Sequence, residues 1–264
     1  MRKRITISLL CLLLLLAPSA LSQRSQSRSD FTPPKRQAGP SKRNEYTFAR
    51  LRYSGGYGRR GGWATDYPKA DEQFLYGLRN WCRSSLGISD DPVTVPPADK
   101  EIFKYPFVYA VEPGMMELSE EDAANMREYL MRGGFLMLDD FWGEYEWANM
   151  EREIKKVFPG RNFVELPLDH PIYHCVFEIK SKGQVPGIRY WERGGGTSER
   201  SDSREVHHRA IFDDQGRMMV IATHNTDNGD GWEREGENDW FFHEFSEKRA
   251  FPLGINIIFW AMTH

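Results

Sequence analysis

The sharpest apolar pattern in the chain is Phe135-Leu136-Met137-Leu138, set between Gly133-Gly134 and Asp139-Asp140. A run with no polar alternation predicts a strand buried on both faces, and such strands belong to parallel sheets. Tyr105 to Val111 has the same character and ends in Glu112-Pro113-Gly114. Between the two, Ala123, Met126 and Leu130 recur at helical spacing. Ser119-Glu120-Glu121-Asp122 opens that helix with a capping-box pattern, and Gly133-Gly134 ends it.

The alternation extends in both directions. Tyr46 to Tyr53 reads as the first strand, and its alternating Arg50 and Arg52 predict an edge position or one wet face. Phe74, Leu75, Leu78, Trp81 and Cys82 form a core-facing helical stripe. Asp91 to Pro97 is a short strand and turn. Tyr145 to Phe158 is a helix with Trp147, Met150, Ile154, Val157 and Phe158 on one face, and Phe163 to Leu166 is the next strand. Strand and helix in repeated succession predict a doubly wound parallel sheet covered on both sides.

Beyond residue 166 the rhythm shortens. Cys175–Ile179, Gly187–Trp191, Arg209–Phe212 and Met218–Thr223 read as short strands, with a hairpin turn at Asp213-Asp214-Gln215-Gly216. Gly194 to Ser203 reads as a mobile loop. Trp240–Phe245 and Leu253–Met262 read as helical, with a break near Pro252.

The first residues change the compartment. Arg2, Lys3 and Arg4 precede a mostly apolar run from Ile5 to Ala17, and Ala20-Leu21-Ser22 supplies small residues before Gln23. That is a secretory signal over residues 1–22, with an uncleaved N-terminal anchor as the alternative. The chain is therefore expected to be periplasmic or otherwise exported. Residues 23–44 are rich in Ser, Arg, Pro and Gln and predict a disordered basic linker. Residues 45–264 are enough for one α/β domain. A net charge of −3 gives no reason to expect nucleic acid. The two cysteines beyond the leader, Cys82 and Cys175, are too few to predict a disulfide framework, and Cys82 reads as a buried free thiol.

Candidate chemistry gathers at strand ends, where open α/β sheets bind ligands. Asp139, Asp140, His170 and His224 suit general acid–base work and are the catalytic candidates. Arg52, Tyr53, Glu112, Trp63, Trp142 and Asp227 are the ligand-binding candidates. Neighbours on a strand point to opposite faces, so one of Asp139 and Asp140 is expected to meet the ligand. The other role open to each is to cap the following helix or to bond the Arg50/Arg52 row. His207 and His208 likewise alternate, so at most one serves a site. No His or Asp set has the tight spacing of a known metal motif, so no metal ligand is assigned and the cofactor stays open. The glycines at 55, 56, 58, 61 and 62 match neither a P-loop nor a dinucleotide fingerprint, and a surface loop is the plainer reading.

The chain resembles a bacterial family known as domain of unknown function 4159. The resemblance is carried by Phe48-Ala49-Arg50-Leu51-Arg52-Tyr53, Gly62-Trp63-Ala64-Thr65-Asp66-Tyr67-Pro68, the run from Arg132 to Gly143, Leu166 to Ile172, His224-Asn225-Thr226-Asp227 and Pro252-Leu253-Gly254-Ile255-Asn256. Glu117 to Asp140 is also similar to the class I glutamine amidotransferase superfamily. That likeness implies a three-layer flavodoxin-like sandwich with a mainly parallel sheet, here with a C-terminal β-hairpin and helix extension. The family resemblance implies an envelope setting. The amidotransferase nucleophile is missing: there is no Gly-x-Cys-x-Gly, and His243-Glu244 is adjacent rather than spaced as His-x-Glu. Two functions follow as expectations. One is an envelope domain binding a small molecule or a protein partner, touching the membrane only through an uncleaved leader. The other is a hydrolase of a carbohydrate or amide, using Asp139 or Asp140 with His170 or His224, with or without a metal.

Overall fold

In a computed structural model of the chain, residues 46–56, 62–81 and 87–264 are described. The apolar runs become strands β4 (Phe107–Val111) and β6 (Phe135–Asp139), and every residue of both is buried. Their side chains alternate between two cores. Phe107, Tyr109, Val111, Phe135 and Met137 pack on one face, while Val108, Ala110, Leu136 and Leu138 pack on the other. The sheet therefore has a helical layer on each side.

The other strands are β1 (Ala49–Leu51), β2 (Ser54–Gly55), β3 (Val93–Val95), β5 (Met116–Glu117), β7 (Val164–Glu165), β8 (His207–Phe212) and β9 (Met218–His224). The large sheet has seven strands in the order β3-β1-β4-β6-β9-β8-β7. The first five are parallel, and β8 and β7 add antiparallel at one edge. The parallel part has the flavodoxin order 2-1-3-4-5, whose switch point lies between β1 and β4. The fold is a three-layer α/β sandwich, as the repeated strand–helix pattern requires.

Helices α1 (Lys69–Trp81), α5 (Asn228–Glu233) and α7 (Phe251–Thr263) cover one face through Phe74, Leu75, Trp232 and Ile255. Helices α2 (Glu120–Met131) and α3 (Gly143–Val157) cover the other through Ala123, Met126, Met150 and Ile154. Ser119 caps α2 as its sequence predicts, in a reciprocal box with Asp122. The turn at Asp213 forms as expected: its Oδ1 accepts from Gln215 N at 3.0 Å, and Gly216 has φ +82°.

Four local expectations change. The first strand is neither an edge strand nor wet: β1 lies between β3 and β4, and Arg50 is fully buried against Asp71 of α1. Cys175–Ile179 is irregular, because Asn256 takes the place of a partner strand. Its Oδ1 accepts from Phe177 N at 2.8 Å and its Nδ2 donates to Phe177 O at 2.9 Å. Gly187–Trp191 is not a strand but the lead into α4 (Ile188–Glu192). The C-terminal helices are not broken at Pro252. A short α6 (Asp239–Phe241) runs into a π-helical stretch, Phe242–Ala250, which continues into α7 with Pro252 in the first turn. The signal, the linker and Cys82 lie outside the described residues.

Candidate functional site

A cleft of about 520 Å³ lies at the carboxyl ends of the parallel strands. Glu112 follows β4, Asp140 follows β6, Asp227 follows β9, and Asp66 lies on the loop between β1 and α1. Backbone geometry lifts these side chains off the sheet edge. Among the described residues, the non-glycine positions with positive φ are Asp66 (+60°), Glu112 (+48°), Asp140 (+56°) and Asn225 (+63°). Each such residue costs on the order of 1–3 kcal/mol and persists where surrounding structure holds it.

The supports are visible. Arg50 Nη1 donates to the carbonyls of Trp63, at 3.2 Å, and Thr65, fixing the loop that carries Asp66. Tyr53 OH donates toward Val111 O (2.6 Å) and Glu112 O (2.9 Å), bracing the turn after β4. Asn225 Oδ1 accepts from Gly143 N at 2.8 Å, so the turn after β9 holds the start of α3.

Asp66, Asp140 and Asp227 each offer a carboxylate oxygen, and these three atoms lie within 4.8 Å of one another. Asp140 and Asp227 are only 8% and 5% exposed. One oxygen of each is engaged: Asp140 Oδ1 accepts from Trp142 Nε1 at 2.9 Å, and Asp227 Oδ1 from Asp230 N at 2.7 Å. The second oxygen of each accepts nothing from a described residue. Burial, then the neighbouring carboxylates, hold all three acids well above the usual carboxylate range.

A second set, Asp66, Asp230 and Glu233, also lies within 4.8 Å. Part of its charge is offset by Arg234, which pairs with both Asp230 and Glu233. No basic described residue pairs with Asp140 or Asp227. Arg189 of α4 and Arg193, just after it, line the cleft and are exposed. Arg200 and Glu199 come from the stretch expected to be mobile, which is instead tied down: Glu199 Oε1 accepts from Gly187 N at 2.7 Å and Arg200 N donates to Ser203 Oγ at 2.9 Å.

A family model described as Domain of unknown function (DUF4159) matches residues 47–262. The chain belongs to the DUF4159 family. None of the curated proteins compared with it matches. In this DUF4159 chain the three converging acids come from stretches that carried the family resemblance in the sequence: Asp66 before Tyr67-Pro68, Asp140 before Phe141-Trp142-Gly143, and Asp227 after His224-Asn225-Thr226.

Of the sequence candidates, the cleft gathers Glu112, Asp140, Trp142 and Asp227. Asp139 points the other way and is saturated. Its carboxylate accepts from Thr223 Oγ1 (2.6 Å), Asn228 Nδ2 (2.7 Å), Tyr109 OH (2.9 Å), Asn228 N (3.1 Å) and Gly229 N (3.2 Å). Nor does Asp140 cap α3, whose first N–H groups go to Glu146, Asn225 and Asp202. His170 caps the turn at Pro171, its Nδ1 accepting from Ile172 N at 3.2 Å, and packs on Trp260. His224 contacts Gly143 O through Nε2 at 3.0 Å and stacks on Phe141. Neither imidazole lines the cleft. Arg52 is exposed, Tyr53 is a brace, and Trp63 contributes its carbonyl to Arg50, so these three also lie off the cleft wall.

Sequence reasoning missed Asp66, Glu146, Glu199, Asp230 and Glu233, together with the cleft arginines. The signal for Asp66 was present in Thr65-Asp66-Tyr67-Pro68, where the acid directly precedes an X-Pro turn. Asp230 and Glu233 are three apart on α5, but a site assembled from five separate segments has no spacing motif to read.

Proposed function

We propose that this domain binds a divalent cation through Asp66, Asp140 and Asp227 and uses it to hold a small anionic ligand. The observation that carries this reading is the triad itself. Three carboxylates within 4.8 Å of one another, one half-buried and two buried with no basic side chain paired to them, cannot all be ionised without a counter-charge. All-oxygen donors favour magnesium, calcium or manganese over soft metals. Arg189 and Arg193 supply cationic groups on the wall of the same cleft, suited to a phosphate or carboxylate.

The broader setting is part of the same proposal. The leader pattern of residues 1–22 supports an exported, envelope-located protein. The strand order and the tight β6–Asp140–α3 turn support kinship with amidotransferase-like folds. A residue in the left-handed conformation between strand and helix is how such folds raise a reactive side chain above the sheet. Here a carboxylate occupies that turn.

A hydrolytic reading has one specific support: Asp66 is common to both carboxylate sets, an arrangement suited to shared metal ligation. In it a cation would polarise the scissile bond and Asp140 would orient water. The first experiment is a thermal-shift and calorimetric titration of the mature chain with Mg²⁺, Ca²⁺ and Mn²⁺. A cation at roughly 100 times its Kd adds about 2.7 kcal/mol of stability. The wild type is expected to shift, and Asp140→Asn and Asp227→Asn are not. No shift with any of the three ions at millimolar concentration overturns the proposal.

A further inference from the structure

The acidic cleft is not acidic throughout. Four arginines line it, and two of them are neutralised locally: Arg234 pairs with Asp230 and Glu233, and Arg200 with Glu146 at 3.3 Å. The other two, Arg189 and Arg193, are four positions apart and so one helical turn from each other. Neither forms an ion pair with a described carboxylate, although eight of the sixteen lining residues are Asp or Glu. Free positive and free negative groups therefore share one cavity of about 520 Å³ without meeting.

The negative part has open oxygens. Asp140 and Asp227 are more than nine-tenths buried, and each keeps one oxygen that accepts nothing from a described residue. Neither of those oxygens is sealed from solvent, so a ligand placed in the cleft can reach them. Buried carboxylates without a partner are costly until a counter-charge fills the space beside them.

The arginine pair narrows the anion. One guanidinium engages both oxygens of a carboxylate as a fork, so a second free guanidinium one turn away is more than a carboxylate needs. A phosphate monoester has three acceptor oxygens and a charge of about −1.5 to −2 at pH 7, which matches two forks. The remaining wall narrows the body. Ionised carboxylates only accept, so a body lying along them must donate, as hydroxyl groups do. The aromatic lining consists of Trp142 and Tyr190, and the Tyr190 hydroxyl has no partner among the described residues. A ring face beside hydroxyl-accepting groups suits a sugar.

We propose that the anionic ligand of this cleft is a sugar phosphate, an assignment that rests on the triad holding a cation. Arg189 and Arg193 hold the phosphoryl group, and the hydroxyls face the carboxylates and the cation.

The test is calorimetric titration of the mature chain with glucose 1-phosphate, glucose 6-phosphate and ribose 5-phosphate. Glucose and inorganic phosphate serve as the two half-ligands. The buffer holds whichever of Mg²⁺, Ca²⁺ and Mn²⁺ shifts the melting temperature most. Saturable binding of at least one ester is expected, with both half-ligands weaker by roughly tenfold or more. Arg189→Gln combined with Arg193→Gln should weaken that ester by a similar factor. The same double variant should bind the cation as tightly as wild type or more tightly, because two like charges have left the cleft, whereas a misfolded chain would lose both ligands. A cation response without saturable binding of any ester at millimolar concentration overturns the assignment and leaves the cation site standing. So does an ester that binds the double variant like wild type, or inorganic phosphate that binds as tightly as the esters. If none of the three ions shifts the melting temperature and no ester binds, the cation site and the assignment fall together.

Discussion

Arg50 Nε lies 2.9 Å from Asp71 Oδ2, and neither side chain reaches solvent. This pair ties β1 to α1. The same guanidinium holds the Trp63 and Thr65 carbonyls, so it also sets the position of Asp66. Breaking one partner leaves a buried uncompensated charge, at a cost of about 3–5 kcal/mol. Asp71→Asn is therefore expected to lower stability by about that much in urea unfolding. Arg50→Met combined with Asp71→Leu should recover part of the loss. Because both carbonyls then lack their donor, the double variant should still respond weakly to divalent cations in a thermal-shift assay.

Asp139 and Asp140 are adjacent and have opposite work. Asp139 collects five donors that join β4, β6, β9 and α5. Removing its carboxylate strands those donors in the core, each at about 1–3 kcal/mol before relaxation. Asp139→Ala is expected to cost about 3–5 kcal/mol. Asp140→Asn removes a charge that burial and Glu112 disfavour, while keeping an acceptor for Trp142 Nε1. It should leave stability unchanged or slightly raised in the absence of cation, and abolish the cation response. Equal destabilisation by the two substitutions would contradict this division.

This pair also illustrates what the sequence makes legible. The parallel sheet and its ligand edge follow from Phe135–Leu138 and Tyr105–Val111, because double-sided burial leaves no polar alternation. Strand parity separates the two aspartates, but which one lines the cleft depends on the left-handed turn at Asp140 and on donors from β9 and α5. Arg50 misled for a related reason: its charge reads as a wet face until Asp71, 21 positions away, is seen to neutralise it. His224 ends β9 as expected and His170 lies five residues beyond β7, yet local bonds to Gly143 O and Ile172 N turn them away. Period and composition encode layers, whereas convergence of remote side chains is a tertiary property.

The acidic cleft gives the fold a pH dependence that cation binding should weaken. Asp66, Asp140 and Asp227 are held well above their ordinary range, chiefly by burial, and burial raises Glu233 to about 7. An acid whose folded-state pKa is raised stabilises the fold below its unfolded value and loses that contribution as pH rises through the folded value. Each tenfold preference for the proton costs about 1.4 kcal/mol once the group ionises. In chelator-treated protein, stability is therefore expected to fall as pH rises from the unfolded carboxylate value, about 4.5, to about 7, where Glu233 ionises in the fold. With saturating Mg²⁺ or Ca²⁺ the bound triad is ionised, as it is in the unfolded chain above about pH 5, so unfolding exchanges no proton there and the fall should be shallower over the same interval. Urea unfolding across this range, with and without cation, reads both slopes. Parallel curves would remove the cation from the account.

His224 imposes the opposite trend at lower pH. Its ring is buried between Phe141 and Trp147, with centroids 4.9 and 5.2 Å away. Arg209 Nη1 lies 3.4 Å from Nδ1, which leaves Nε2 to carry the proton and donate to Gly143 O. Burial lowers its pKa to about 4, with Arg209 and His207 adding to the effect. A histidine depressed in the folded state contributes fully above its unfolded value, near 6.5, and loses that contribution as pH falls toward 4. The loss amounts to about 3 kcal/mol for a change of that size. His224→Gln keeps a donor for Gly143 O and cannot titrate. At pH 7 it should cost about 1 kcal/mol, from the lost ring packing. The gap between wild type and variant should then close and invert as pH falls to 4. The carboxylates and His208 titrate in both proteins, so subtracting the two curves isolates His224. A gap that stays constant from pH 7 to 4 would mean that the ring takes up its proton as readily in the fold as in the unfolded chain, so that burial against Phe141 and Trp147 does not hold it neutral.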